Sequence, residues 1–299
     1  MSAGPGGPVA RSSRLLSSRG THTLGDVATV IPIDDPADGR VADYVGLKDA
    51  ALRHRREEPD GTGPGIFIGE GSLVLRRLLR SPYRLRSVLL TPQRFDALAG
   101  ELGAVGAPVY LAGQDVMNAV AGFDIHRGVL AAADRRPLPP PGMLLAGTRR
   151  VAVLENVNDH ENLGVIFRNA AALGIEAVLL SPECCDPLYR RSVRVSMGHV
   201  LDVPFAVLRP WPDALSVLGD AGFRLVALTP DPAAVDIRKL DLAGAERVAF
   251  LLGAEGPGIT GEAAGRADVL VRIAMAPGVD SLNVGSAAAV AFHVASRLP

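Results

Sequence analysis

In the second half of the chain, short apolar runs return at regular intervals: "VAVLE" (151–155), "EAVLL" (176–180), "RLVALT" (224–229), "VAFLLG" (248–253) and "VLVRIAM" (269–275). Each is short, rich in Val and Leu and close to uniformly apolar, the pattern of a parallel strand covered on both faces. The stretches between them read as helices. In "NLGVIFRNAAALG", Leu163, Ile166, Phe167 and Ala170 fall at i, i+3, i+4 and i+7 and share one face. Gly174 follows as a helix stop. This alternation predicts an α/β protein with a parallel sheet, whose ligands bind beyond the carboxyl ends of the strands.

The first half mixes the two periods. "EGSLVLRRLLRS" predicts a helix, and "LRSVLLT" and "PVYLAG" predict strands. Between the halves lies "DRRPLPPPGMLLAG" (134–147), whose proline run can continue neither a helix nor a central strand. The chain therefore divides into a tail and lead-in over 1–39, an N-terminal module over 40–135, a Pro-rich linker over 136–147 and a C-terminal module over 148–299.

With 299 residues there is room for two domains, and 48% hydrophobic against 4% aromatic residues predicts aliphatic cores. The formal net charge of -1 carries no global sign of a polyanion partner, so any such partner must be held by a local patch. One candidate patch is the predicted helix bearing Arg76, Arg77 and Arg80, in a stretch with no acidic residue from Gly71 to Phe95. It reads either as a solvated helix face or as a surface that contacts phosphates. The two cysteines, Cys184 and Cys185, are adjacent, which suits ordinary thiols of a reducing compartment better than a disulfide or a zinc site. No apolar stretch has the length of a membrane span. The opening "MSAGPGGPVARSSRLLSSRG" lacks the apolar core of a secretory signal and reads as a disordered tail, with a transit peptide as the alternative. A cytoplasmic location is the simplest expectation.

Three stretches gather polar and small residues at predicted strand ends. In "ENVNDHENLGVIFRN", Asn156, Asn158, Asp159, His160, Glu161 and Asn162 crowd one strand-to-helix turn, with Arg168 further along the helix. Consecutive Asp159, His160 and Glu161 do not have the spacing of ligands that converge on one ion, so no metal is expected. Arg168 suits an anion or a surface ion pair. In "FLLGAEGPGIT", Gly253, Gly256 and Gly258 surround Glu255 and would let backbone approach a ligand. The glycine spacing is not that of a dinucleotide fingerprint or a P-loop. In "IAMAPGVDSLNVGSAAAV", a strand ending at Met275 and a Pro-Gly turn lead to Ser281, Asn283 and a helix of small residues.

In this order, "NLGVIFRNAAALG" with "DPLYRRSVRVSMG", then "LLGAEGPGI", then "IAMAPGVDSLNVGSAAAVAF" resemble the three motifs of the SpoU-type (TrmH-like) branch of the SPOUT RNA methyltransferases. The resemblance spans nearly the whole C-terminal module. More loosely, "GIFIGEGSLVLRRLL" and "HRGVLAAADRRP" resemble the small α/β RNA-binding domain that often precedes it. The family implies a parallel-sheet SPOUT domain with a deep trefoil knot, an exception to the usual absence of knots. It further implies S-adenosyl-L-methionine bound in the knot, a homodimer whose sites complete across the interface, and methyl transfer to a ribose 2′-hydroxyl of structured RNA, rRNA before tRNA.

Carried over position by position, the resemblance makes Asn162, Arg168, Glu255, Ser281 and Asn283 the catalytic set. It places the cofactor against Leu228, Thr229, Gly253, Glu255, Gly256, Ile273, Met275, Leu282, Asn283 and Ser286. RNA is expected on Arg76, Arg77 and Arg80 and on Arg190, Arg191 and Arg194, some of which would meet the dimer partner instead. Gly285, Ser286 and the alanines after them would pack against the cofactor loops. Asn169 stands where the family often has Thr, a departure expected to shift RNA contacts. An inactive RNA-binding protein with the same fold is the alternative, and the intact five-residue set favours the enzyme. A nucleotide-binding oxidoreductase would need a dinucleotide fingerprint early in the α/β module, and none is present.

Overall fold

The computed structural model of the chain describes residues 22–24, 28–48, 65–103 and 105–296. The C-terminal sheet contains β7 (Arg150–Glu155), β8 (Ala177–Leu180), β9 (Phe205–Val207), β10 (Arg224–Leu228), β11 (Val235–Asp236), β12 (Val248–Gly253) and β13 (Val269–Arg272). Their order across the sheet is β11–β13–β10–β12–β7–β8–β9, and all pairings are parallel. The five predicted strands are present; the last ends at Arg272 rather than Met275, because the chain turns irregular at Ile273. The two unpredicted strands, β9 and β11, are the edges, three and two residues long, too short to show a periodicity.

Side chains alternate between two cores, as the pleat requires. Ala152 and Leu154 of β7, with Val248, Phe250 and Leu252 of β12, face α5 (His160–Leu173) and the last helix, which spans Val284–Ala295. Val151, Val153, Ala249 and Leu251 face the opposite core with Leu215, with Leu218 of α7 (Ser216–Asp220) and with Ala263 of α8 (Gly261–Ala264). Phe167, Phe250 and Phe292 are fully buried, each stabilising the fold by about 1.5–3 kcal/mol. Asp159 caps α5 by accepting from the backbone N–H groups of Glu161 and Asn162 at 2.7 and 2.8 Å, and Gly174 ends it in the left-handed conformation.

The N-terminal sheet is mixed. It comprises β1 (His22–Leu24), β2 (Ala28–Ile33), β3 (Ile66–Glu70), β4 (Leu85–Leu90), β5 (Val109–Ala112) and β6 (Val129–Asp134), in the order β1–β2–β5–β4–β6–β3. Helices α1 (Ser72–Leu78), α2 (Pro92–Leu102) and α3 (Gln114–Ala121) pack on it. Two expectations are corrected here. The lead-in over 1–39 contributes β2, which pairs in parallel with β5 along Val30–Ile33; residues 1–21 and 25–27 lie outside the described residues. The Pro-rich linker is not a bare tether. It forms α4 (Pro141–Leu145), started by a proline at its first turn, and buries Leu144 and Leu145 in the C-terminal core.

The two sheets share a core. Phe67, Val74, Leu75 and Leu78 of the N-terminal module belong to the same apolar cluster as α5 and α6 (Arg190–Val195). Polar contacts lock the junction. Glu70 and Arg190 form an ion pair at 2.5 Å with side chains only 6% and 13% exposed, and the Arg190 guanidinium lies 4.6 Å from the centre of the Phe123 ring. Arg77 donates to the Met197 carbonyl at 2.6 Å, contacts His199 Nε2 at 2.8 Å and pairs with Asp202 at 3.3 Å. Arg135 donates to the Ile66 carbonyl at 2.9 Å and holds Asp186 through both terminal nitrogens. Among the described residues, no helix is long and apolar enough to cross a membrane.

Removing one member of a buried ion pair strands the other charge, which costs about 3–5 kcal/mol. Glu70→Ala is therefore expected to lower unfolding stability by about 3 kcal/mol in urea denaturation, while Arg80→Ala, at an exposed position, changes it by under about 0.5 kcal/mol. A loss below about 1 kcal/mol for Glu70→Ala would show that this pair holds the junction no better than a surface one.

Candidate active site

Three adjacent strands of the C-terminal sheet, β13, β10 and β12, deliver their carboxyl ends to one cleft of about 280 Å³. Leu228 closes β10 and Thr229 follows it; Gly253 closes β12, and Glu255 and Gly256 follow it. Ile273, Met275, Ser281, Leu282 and Asn283 come from the segment after β13. Nine of the ten positions expected to meet a cofactor line this cleft. Ser286 does not; it is exposed, and its backbone N–H donates to Asn283 Oδ1 at 3.2 Å.

The Gly-rich turn has a steric basis. A Cβ on Gly253 would stand 2.0 Å from the carbonyl carbon of Gly258, so the chain can double back only if residue 253 has no side chain. Gly256 sits at φ 85°, where other residues are strained. The folded-back loop carries Glu255 to the helix start. There Asn283 caps α9 (Val284–Ala295), and its Nδ2 donates to Glu255 Oε1 at 2.6 Å and to Asn162 Oδ1 at 2.7 Å. Three stretches far apart in sequence thus meet at one amide.

Beside this junction lies a second, polar cleft of about 530 Å³, lined by Asn156, Asn158, Asp159, Asn162, Glu183 and Glu255. Ala254, Glu255 and Val284 line both clefts, so Asn162, Glu255 and Asn283 mark the seam between a small-residue chamber and a polar one. Ser281 is exposed at the edge of the first chamber. Arg168 is not part of the junction. It is exposed on α5, near enough to His199 to join the Arg77 guanidinium and burial in holding that imidazole below its usual pKa.

The small residues at the start of α9 serve a second contact besides the one expected. A Cβ on Gly285 would lie 2.6 Å from Val165 Cγ1, so the glycine lets α9 press onto α5, while Ala287 lines the first cleft as expected. Asn169, at the position where Thr was expected, donates to the Gly285 carbonyl at 2.8 Å and ties the same two helices. Two arginines expected on RNA are taken up inside the protein. Arg77 and Arg190 are committed to the junction described above, Arg77 to Met197 and Asp202 and Arg190 to Glu70. Arg76 pairs with Glu101 at 2.7 Å and Arg191 with Glu161 at 3.6 Å. Arg194 is half-buried, whereas Arg80 is exposed.

One residue escaped the sequence reading. Glu155, at the end of β7, is fully buried, yet its carboxylate accepts from Trp211 Nε1, from the Thr260 backbone N–H and from Thr260 Oγ1, each at 2.8 Å. It pairs with Gly253 in the β7–β12 ladder, so it ties the far end of the glycine loop to the strand beside the loop's origin. The only sequence signal was an acidic residue closing an otherwise apolar strand. Glu155→Gln is expected to destabilise the protein by about 2 kcal/mol, because the amide's NH₂ must face either the Trp211 or the Thr260 donor and leaves it unpaired. Thr260→Ser keeps both donors and should match the parent in urea denaturation; equal stability of Glu155→Gln would remove the carboxylate's role as a tie.

With that geometry in place, comparison with known proteins is informative. Residues 149–293 match the SpoU rRNA Methylase family. An uncharacterized tRNA/rRNA methyltransferase of Mycobacterium tuberculosis is 48% identical over 273 residues, covering 91% of this chain and 93% of the relative. The 23S rRNA (guanosine-2'-O-)-methyltransferase RlmB of Acinetobacter baylyi is 31% identical over 211 residues, covering 69% of this chain and 84% of that protein. The crystal structure of an AdoMet-bound rRNA methyltransferase from Sinorhizobium meliloti superposes with a TM-score of 0.74 at 27% identity, over 90% of this chain and 98% of that one. The matched region holds all the strands that build both clefts, and on these grounds the chain belongs to the SpoU family of RNA methyltransferases.

Proposed function

We propose that this protein transfers a methyl group to a ribose 2′-hydroxyl of ribosomal RNA. The observation that carries the reading is the amide junction of Asn162, Asn283 and Glu255 at the seam of the two clefts. S-Adenosylmethionine is the cofactor, and the first cleft fits it: a turn that tolerates no Cβ at Gly253 lines it with backbone, and Leu228, Ile273 and Leu282 supply apolar surface. When bound, it supplies an electrophilic methyl group. The named activity of the Acinetobacter relative and the bound cofactor of the Sinorhizobium structure support the same assignment.

The chain's own task is to hold a weakly acidic hydroxyl at the seam and receive its proton. Asn283 Nδ2 spends its donors on Asn162 and Glu255, fixing both side chains. Asn162 then presents its own Nδ2 to an oxygen of the substrate. Glu255 keeps Oε2 outside the contact with Asn283 and accepts the proton there. Arg168 holds the neighbouring phosphate with its guanidinium. Arg168 is exposed on α5, away from the junction, so it reaches the substrate of a second copy in a homodimer, and the exposed Val279, Leu282 and Val290 suit a protein partner. The neighbouring strands β13, β10 and β12, with α9 returning onto α5, form the part of the chain that we read as knotted. The N-terminal module binds RNA, and the protein works in the cytoplasm.

The decisive experiment transfers radiolabelled methyl from S-adenosylmethionine to ribosomal and transfer RNA, separately, from a strain lacking this protein. Label in ribosomal RNA that survives alkali in a single dinucleotide is expected; alkali-labile label, or label in transfer RNA alone, would overturn the assignment. Asn283→Asp keeps the helix cap but sets an oxygen against Glu255 Oε1 and Asn162 Oδ1. Turnover should fall by at least about 100-fold with the thermal midpoint little changed, since small displacements at a reacting centre cost that much. Arg168→Ala should abolish transfer while leaving cofactor affinity, read by calorimetry, near that of the parent; unchanged turnover would remove Arg168 from the mechanism.

A further inference from the structure

We propose that the substrate reaches the site as a single RNA strand lying along a groove of arginines, Arg84, Arg136 and Arg209, which runs from the N-terminal sheet to the carboxyl ends of β8 and β9. This rests on the methyltransferase reading above. It departs from the sequence expectation, which placed RNA on Arg76, Arg77 and Arg80 and on Arg190, Arg191 and Arg194.

The groove is a chain of touching clefts. The first, of about 530 Å³, lies against β3 and β4 and includes Arg84, Arg86, Arg135 and Arg136. The second, of about 520 Å³, shares Arg135 and Arg136 with it and continues past Leu138, Cys184 and Cys185 to Arg209. Its floor is bonded to the next cleft: Ser181 Oγ accepts from the Asn156 backbone N–H at 2.9 Å, and Cys185 donates to the Val157 carbonyl at 3.0 Å. That next cleft is the polar one containing Asn162 and Glu255, which opens onto the cofactor chamber. The two arginine clefts are continuous through Arg135 and Arg136, and the Ser181–Cys185 loop, which lines the second with Pro182 and Cys184 and the polar cleft with Glu183, stands between them and the reaction centre.

Charge along the path changes in the sense RNA requires. Arg135 is held by Asp186, and Arg86 is shared between Asp43 at 3.0 Å and Asp134 at 3.1 Å, so these two are walls rather than contacts. Arg84 has a side chain 81% exposed, with one ion pair at 3.3 Å to Asp134. Arg136 and Arg209 are exposed, with no ion pair to another described residue. Between them Leu138, 44% exposed, and the two cysteines offer an apolar wall on which an unpaired base can rest. Burial raises both thiols, Cys185 to about 12, so the wall stays neutral. Beyond it, positive charge gives way to Asn156, Asn158, Asn162, Glu183 and Glu255, which hydrogen-bond sugar hydroxyls and repel phosphate. Phosphates thus sit on the arginine clefts and a ribose in the asparagine cleft.

Each phosphate contact to a single strand contributes about 0.7 to the slope of log affinity against log salt. A fluorescein-labelled oligouridine of about 12 nucleotides, followed by anisotropy between about 50 and 200 mM KCl, tests this on the full chain. Arg136→Ala with Arg209→Ala should bind about ten-fold more weakly, with a slope flatter by about 1.4. Leu138→Glu, which places negative charge on the wall without touching either arginine, should also weaken binding. Arg76→Ala with Arg80→Ala should leave affinity and slope as in the parent. If the groove variants bind with unchanged affinity and slope while the parent protein still methylates ribosomal RNA, the groove is overturned and the methyltransferase reading stands. If the parent neither binds oligouridine nor transfers methyl, both fall.

Discussion

A backbone-to-backbone contact that allows no Cβ at Gly253 sets the geometry of everything around it. The strand β12 ends there, the chain doubles back against Gly258, and a bridge between Ala254 and Gly258 closes the loop. A tight loop at the end of a strand would ordinarily be free to swing. Here the buried Glu155 carboxylate grips its far end at Thr260, so both ends of the loop are referred to the rigid β7–β12 ladder. The position of Glu255 follows from that restraint, and through Asn283 so does the position of Asn162 on another helix. Preorganisation of this kind is what a reaction that needs aligned groups demands, because alignment achieved during folding need not be achieved again at each turnover.

The packing of α9 shows how one short stretch meets several demands. Asn283 caps the helix and joins two loops, and Gly285 lets the helix approach Val165 of α5 closely. The same approach brings Asn169 within 2.8 Å of the Gly285 carbonyl. Larger side chains at the start of α9 would push it off α5 and open the seam between the two clefts. Gly285 therefore belongs to the helix–helix contact, and Ala287 a half-turn on faces the first cleft directly.

Much of the fold was legible because apolar runs and helical spacing are local signals. The five strands first read in the C-terminal sheet and α5 with its stop at Gly174 were readable from residue order, while the positions that line the first cleft came from the resemblance of three ordered motifs. What escaped depends on partners distant in sequence. Strand β2, "ATVIPI", lies inside the stretch read as a tail and lead-in, and its place in the sheet shows only when β5, nearly eighty residues on, pairs with it. Glu155 looks like an acid at a strand end until Trp211 and Thr260 fold over it. The edge strands β9 and β11 are too short to carry a period at all.

The arginines make the same point in electrostatic terms. From Gly71 to Phe95 the chain contains no acidic residue, and local counting makes that stretch the obvious home for a polyanion. Folding neutralises part of that charge: Glu101 comes to Arg76 and Asp202 to Arg77, each from another element, while Arg80 stays exposed; outside the stretch, Glu70 takes Arg190. A guanidinium already meeting a carboxylate or a carbonyl has little field left to offer a phosphate, and a buried one cannot be reached. In a protein of net charge -1, attraction for RNA must come from whichever cations the fold leaves unneutralised. Arg136 and Arg209 stand far apart in sequence, in unremarkable surroundings, and only the meeting of the linker with the ends of β8 and β9 puts them on one groove. Which arginines can meet a phosphate is thus decided by tertiary pairing, after the fold has claimed the others for its own junction.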